Sequence, residues 1–156
     1  MIDNPHELEA PPWRRVESTL LATSRALRRA YDSRLAPVGL NQSEASIVAL
    51  VDEEGKLSQT EVARRIGMRR AAAGALVDKL EGLGLIVRVP SPSDRRVWHL
   101  VVTPEARETI VQIKAIDAQL RRELRAGIPR DERRALAATL EQLRANLARV
   151  TDDSAD

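Results

Sequence analysis

The chain is 156 residues long, 43% apolar and 31% charged, which suits one compact domain with a real core and excludes a disordered chain. With no cysteine, no phenylalanine and only Trp13, Tyr31 and Trp98 as aromatics, it excludes disulfides, thiolate zinc sites and thiol redox chemistry, and it disfavours a β-sandwich or barrel. Net charge is only +2, yet the stretch from Lys56 to Thr103 holds nine Lys/Arg against four Asp/Glu, a local concentration suited to a polyanion partner.

Residues 1–11 carry three acids and two prolines and read as a flexible arm, without the basic flank and apolar stretch of a signal peptide. The longest apolar run, Ile47 to Val51, is far too short to span a membrane, so the expectation is a soluble, cytoplasmic protein. From Trp13 the positions Val16, Leu20, Ser24, Leu27, Tyr31 and Leu35 step by three and four, predicting a long amphipathic helix within 12–36 that Pro37 and Gly39 stop. Asn41, three residues before Glu44, opens a second and more buried helix carrying Ala45, Ile47, Val48, Leu50 and Val51, which Gly55 ends. Ser58-Gln59-Thr60-Glu61 is a capping box that starts a short helix with Val62, Ala63 and Ile66, broken at Gly67. A further helix runs from about Arg70 to Leu83 with Leu76, Val77 and Leu80 inward.

Beyond Gly84, Leu85 to Val89 reads as a strand that Pro90 stops, Ser91 to Asp94 as a turn, and Val97 to Val102 as a returning strand. Thr103-Pro104-Glu105 starts a helix, whose apolar stripe Ile110, Ile113, Leu120 and Leu124 is interrupted by Asp117. After Gly127 and Pro129, the last helix places Leu136, Leu140, Leu143, Leu147 and Val150 at four-three-four-three spacing, a short a/d seam of the kind that meets another subunit. The expected order is α-α-α-α-β-β-α-α, mostly α with a small β-hairpin wing. A winged lobe at 40–103 is flanked by helices at 12–36 and 104–150 and a tail at 151–156.

The stretch from Gln59 to Asp78 has the makings of a helix-turn-helix. Ala63 lets the second helix approach, Gly67 takes the left-handed turn, and Val62, Ile66, Met68, Ala73 and Leu76 glue the pair. The hairpin that follows makes it a winged helix. On this reading Ser58, Gln59 and Thr60 lie where a helix start can meet a phosphate. Arg70 reads a guanine, a phosphate contact being the other account of it, Arg69 lies mainly on phosphate, and Ala71, Ala72 and Gly74 complete a leading face whose alanine methyls suit thymine. At the wing, Arg96 borders the minor groove with Asp94 holding its guanidinium, and Arg95 adds charge. Trp98 reads as hairpin packing or a duplex-backbone contact, and His99 and His6 offer no plausible metal site.

Here the sequence resembles the MarR (multiple antibiotic resistance regulator) family of winged-helix transcription factors, over roughly Trp13 to Val150. Asp94-Arg95-Arg96 followed by Val97 to Thr103 is similar to the family's D-x-R wing and closing strand. Leu57 to Ala63 is similar to the first helix of its helix-turn-helix, and Leu80 to Ile86 to the exit from its recognition helix. The chain departs from the family where Arg69 and Ala72 replace the usual hydroxyl residues and Ala106 a usual glycine. The resemblance implies an obligate homodimer on a pseudo-palindromic operator, joined by the N-terminal helix, with Trp13, Val16 and Leu20, and by the C-terminal ones, with Leu136, Leu140, Leu143 and Leu147. It also implies an effector between dimer helices and DNA-binding lobe, for which Arg28, Tyr31 and Arg34 are the candidates, core packing being the other account of them. The function expected is a homodimeric DNA-binding repressor released by a small molecule, such as an aromatic acid or its thioester, with no cofactor, no metal and no enzymatic activity. An effector-independent architectural DNA binder and a winged-helix protein-interaction module remain open alternatives.

Overall fold

The computed structural model describes residues 11, 15–94 and 96–152. The elements are helix α1 (Val16–Leu35), a 3-10 turn (Ala36–Val38), α2 (Gln42–Glu54), strand β1 (Leu57–Ser58), α3 (Gln59–Arg65), α4 (Arg70–Gly82), β2 (Ile86–Pro90), β3 (Trp98–Val102), a second 3-10 turn (Pro104–Ala106), α5 (Arg107–Arg125) and α6 (Arg130–Asp152). The expected arm at 1–11 falls on residues that, apart from Pro11, lie outside those described, and so does Trp13.

Local chemistry sets most of these boundaries. Both predicted capping boxes close: the Asn41 side chain accepts from Glu44 N while Asn41 N donates to Glu44 Oε2, and Ser58 and Glu61 do the same. α3 ends in a Schellman motif around Gly67 (φ 67°), with Met68 N donating to Ala63 O and Gly67 N to Arg64 O. α4 ends the same way at Gly84.

Three expectations are corrected. A strand at Leu57–Ser58 precedes α3 and pairs antiparallel with β3, Leu57 opposite Leu100 and Ser58 opposite His99, so the wing is a three-stranded sheet of order β1-β3-β2. Two residues leave no period to detect; only the pairing defines the strand. Pro90 does not stop β2 but is its last residue, opposite Trp98, a position open to proline because β2 is an edge strand. Thr103-Pro104-Glu105 begins with a 3-10 turn whose cap, Thr103 Oγ1, accepts from Ala106 N, and the α-helix starts at Arg107.

The chain separates into two compact units, the first reaching Ala118 and the second beginning at Gln119. The first has one core, built from Leu35, Ile47, Val48, Val51, Val62, Val77, Leu80, Ile86 and Leu100, with Ala106, Ile110 and Ile113 completing it. Of the α1 stripe only Leu35 is buried; Val16 and Leu20 are 46% and 37% exposed. The second unit holds α6, where Leu136, Leu140 and Leu147 are exposed and Leu143 is half-buried. Among the described residues no helix is long and apolar enough to cross a membrane.

Candidate nucleic-acid interface

α3 and α4 are joined by the four residues from Ile66 to Arg69, and the wing strands follow α4 directly. Ser58, Gln59, Thr60, Arg70 and Arg96, far apart in sequence, line one open groove of about 330 Å³ together with Arg88, Val97, Trp98 and Leu100. Arg69, Arg70, Ala71 and Ala72 are all exposed at the start of α4. Arg69 stands at its N-cap with no side-chain cap bond, as the missing hydroxyl implies. Arg95 lies outside the described residues.

The wing tip is organised by Asp94. Its Oδ1 accepts from Arg96 N (2.9 Å) and Nε (3.2 Å), and its Oδ2 from Arg96 Nη2 (3.3 Å), a bidentate grip that leaves the arginine side chain 91% exposed. The Arg96 amide, and then its guanidinium, hold the Asp94 carboxyl below the ordinary carboxylate range. The Ser58 amide and hydroxyl do the same to Glu61.

Two roles escape sequence reasoning. Gly74 is not displayed with the alanines: it is half-buried, and a Cβ there would come within 2.9 Å of Gln59 Nε2, so the glycine permits close approach of α4 to α3. Arg88, which in the sequence is one charge among nine, is a hub. It donates to Asp78 Oδ1 (2.6 Å), to Glu81 and to Gln59 Oε1 (3.2 Å), tying β2 to both helices, and the Asp78 bond raises its pKa further. The available signal was a lone cation on the inward side of a strand, sharing a face with buried Ile86.

The effector candidates separate. Arg28 and Tyr31 line a recess of about 170 Å³ with Ser24, Leu27 and Gln42, whereas Arg34 is not among its lining residues. The Tyr31 hydroxyl donates to Asp117 Oδ1 (2.8 Å), which accounts for the polar break in the α5 stripe. His99 Nδ1 is buried without a hydrogen-bond partner, and among the described residues no cluster of His, Asp and Glu could hold a metal ion.

Comparison with known proteins places this geometry. A model of the MarR family matches residues 38–97, from the end of the first 3-10 turn to the wing. The structure of the transcriptional repressor CouR bound to a 23-mer DNA duplex is 32% identical, with 82% of this chain and 91% of that one covered and a TM-score of 0.74. The chain belongs to the MarR family of transcriptional regulators. Such a regulator is of a non-enzymatic class. CouR from Rhodococcus jostii RHA1 bound to p-coumaroyl-CoA is 31% identical over 82% of this chain and 90% of that one, again at 0.74. The transcriptional regulator PA3341 is 36% identical, covering 84% and 97%, also with a TM-score of 0.74. The uncharacterised HTH-type regulator YdgJ of Bacillus subtilis (strain 168) is 26% identical over 115 residues, 74% of this chain and 70% of YdgJ. The matched residues of this MarR-family regulator take in α2, α3, α4 and β2, and β3 follows directly.

Proposed function

We propose that the protein is a homodimeric repressor that binds a pseudo-palindromic operator and is released by a small aromatic acid or its thioester. The observation that carries the reading is the groove that brings Arg70, from the recognition helix, and Arg96, from the wing, to one basic surface beside Thr60. Arg70 is the guanine reader and Arg69 a phosphate contact, with Ala71 and Ala72 set against thymine methyls. Arg96, pre-oriented by Asp94, enters or borders the minor groove, where positive charge reads width as well as sequence. Two such lobes engage successive major grooves when their recognition helices stand about 34 Å apart. Leu136, Leu140 and Leu147 are exposed on α6 and, in the other unit, Val16 and Leu20 on α1, and each set is a candidate contact for a second copy.

The effector half of the reading draws on CouR, which binds p-coumaroyl-CoA. Here a recess of about 170 Å³ beside Arg28 and Tyr31 suits one aromatic ring, with an arginine for its carboxylate, and leaves any larger carrier outside. Release follows if the ligand binds the DNA-incompetent arrangement more tightly than the competent one.

The test is an anisotropy titration with the intergenic DNA beside the protein's own gene and a scrambled duplex, at roughly 150 mM salt. Nanomolar binding with a preference of about 10³-fold or more supports the regulator. Addition of p-coumaroyl-CoA or p-coumarate to that complex then tests release. Equal, weak binding to both duplexes overturns the local operator. If Arg96→Ala leaves affinity and salt slope untouched, the winged helix is a protein-interaction module instead.

A further inference from the structure

Glu44 lies at the N3 position of α2 with its side chain 2% exposed, and both carboxylate oxygens are taken. Oε2 accepts from Asn41 N (3.0 Å) in the capping box, and Oε1 accepts from Lys79 Nζ (2.6 Å), on the recognition helix 35 residues away. Lys79 itself is half-exposed, at 53%. The lobe's other capping box needs no such arrangement. Glu61 is only half-buried, its Oε2 accepts from both the amide and the hydroxyl of Ser58, and it carries no lysine. Capping therefore does not explain why Glu44 is sealed in the core with a cation from another helix. A neutral side chain that kept the Asn41 cap would spare the desolvation of a carboxylate that is only 2% exposed, a cost that an ion pair at best offsets. What such a pair does supply is a defined geometry between the two elements it joins.

α4 has need of one. Its N-terminus lacks a side-chain cap, and its inward residues Ala73, Val77 and Leu80 are apolar and non-directional. Its directional ties are all in the second half: Asp78 and Glu81 to Arg88 of the wing, and Lys79 to Glu44 of α2. α2 is anchored in turn to α1, where Asp32 Oδ1 accepts from Gln42 N at 2.7 Å. One turn of α2 thus carries Gln42, which lines the recess, and Glu44, which holds the recognition helix.

We propose that Glu44 and Lys79 are positioning residues for operator recognition: their ion pair fixes α4 against α2 in the orientation that presents Arg70 and the exposed alanines to the major groove. This rests on the DNA-binding reading above. The competing account is that Lys79 is a phosphate contact which Glu44 merely shields. The two differ in sign. Under positioning, removing either partner weakens specific binding; under shielding, removing Glu44 frees a cation and strengthens it.

The experiment uses the full chain as Glu44→Gln, Lys79→Gln, Lys79→Arg and the Glu44→Gln/Lys79→Gln double variant. Glutamine at position 44 keeps an oxygen for the Asn41 amide, so the α2 cap survives. Lys79→Gln changes an exposed side chain and keeps the test valid should Glu44→Gln fold poorly. Titrations on the intergenic and scrambled duplexes across a salt series are read beside thermal unfolding. Expected are a loss of about tenfold or more in operator affinity for each single Gln variant and little change on the scrambled duplex. The salt slope stays as in the wild type, the double variant is no weaker than the worse single one, and Lys79→Arg is close to wild type. Tighter binding by Glu44→Gln, or a slope shallower by about 0.9 in Lys79→Gln, overturns the proposal in favour of a direct phosphate contact. Operator binding unchanged in folded Glu44→Gln and Lys79→Gln overturns it too. Wild-type protein that binds no duplex overturns the DNA-binding reading itself, and that outcome is seen before any variant is made.

Discussion

Asp94 and Glu61 show how single carboxylates organise this surface, and both carry a pH signature. Each is held below its ordinary pKa in the folded protein, Asp94 by the Arg96 amide and Glu61 by the Ser58 amide. A depressed folded pKa stabilises the fold above the ordinary value, 4.5 for Glu61, and that contribution is lost as pH falls through the lower folded value. Melting temperature followed from about pH 6 down to 3 should therefore fall less steeply in Glu61→Gln than in the wild type; equal slopes would remove Glu61 from the account. Gly74 offers a different kind of test. An alanine gains about 0.8–1.0 kcal/mol of helix propensity, and its methyl meets only the far end of the Gln59 side chain. Gly74→Ala should melt higher yet bind operator more weakly, because displacing Gln59 breaks its bond with Arg88, which scanning calorimetry and anisotropy would read separately.

At the scale of the helices, α4 starts without a side-chain cap, at the cost of its own stability. A hydroxyl or carboxylate at position 69 would cap it, and Arg69 cannot. Arg69→Ser should gain about 1 kcal/mol, or about 2–4 °C in melting temperature for a chain of this size. The same change should weaken DNA binding and flatten its salt slope by about 0.9 if Arg69 lies on phosphate. A variant that is stabler with DNA affinity unchanged would make Arg69 a bystander. The wing's tie to α4 through Arg88 gives these two elements one rigid edge, reinforced where Thr103 Oγ1 donates to Gly84 O (2.6 Å) and Thr103 N to Leu85 O (3.1 Å). Start and end of the hairpin are thereby closed on the end of α4.

Leu136, Leu140 and Leu147 are exposed along α6, and the proposed homodimer would cover them with a second copy. The double variant Leu140→Glu/Leu147→Glu should sediment as a monomer at micromolar concentration and lose operator affinity by about 10² or more. A dimer that survives both charges would put the subunit contact elsewhere. Much of this molecule is legible in its amino-acid sequence: each helix follows from apolar steps of three and four, and its ends from Asn41, Ser58, Gly55, Gly67 and Gly84. Those signals are local, acting within one turn of the backbone, so the residues that create them stand next to one another in the chain. Strand β1 is not legible, because two residues acquire their identity only from Leu100 and His99 across the sheet. Nor are the hub at Arg88, the burial of Gly74 against Gln59, or the Glu44–Lys79 pair, whose partners lie 7 to 35 residues apart. Charge and side-chain type, read from sequence, say that these groups need partners; which partner each one meets is decided only when the tertiary fold brings distant segments within hydrogen-bonding distance.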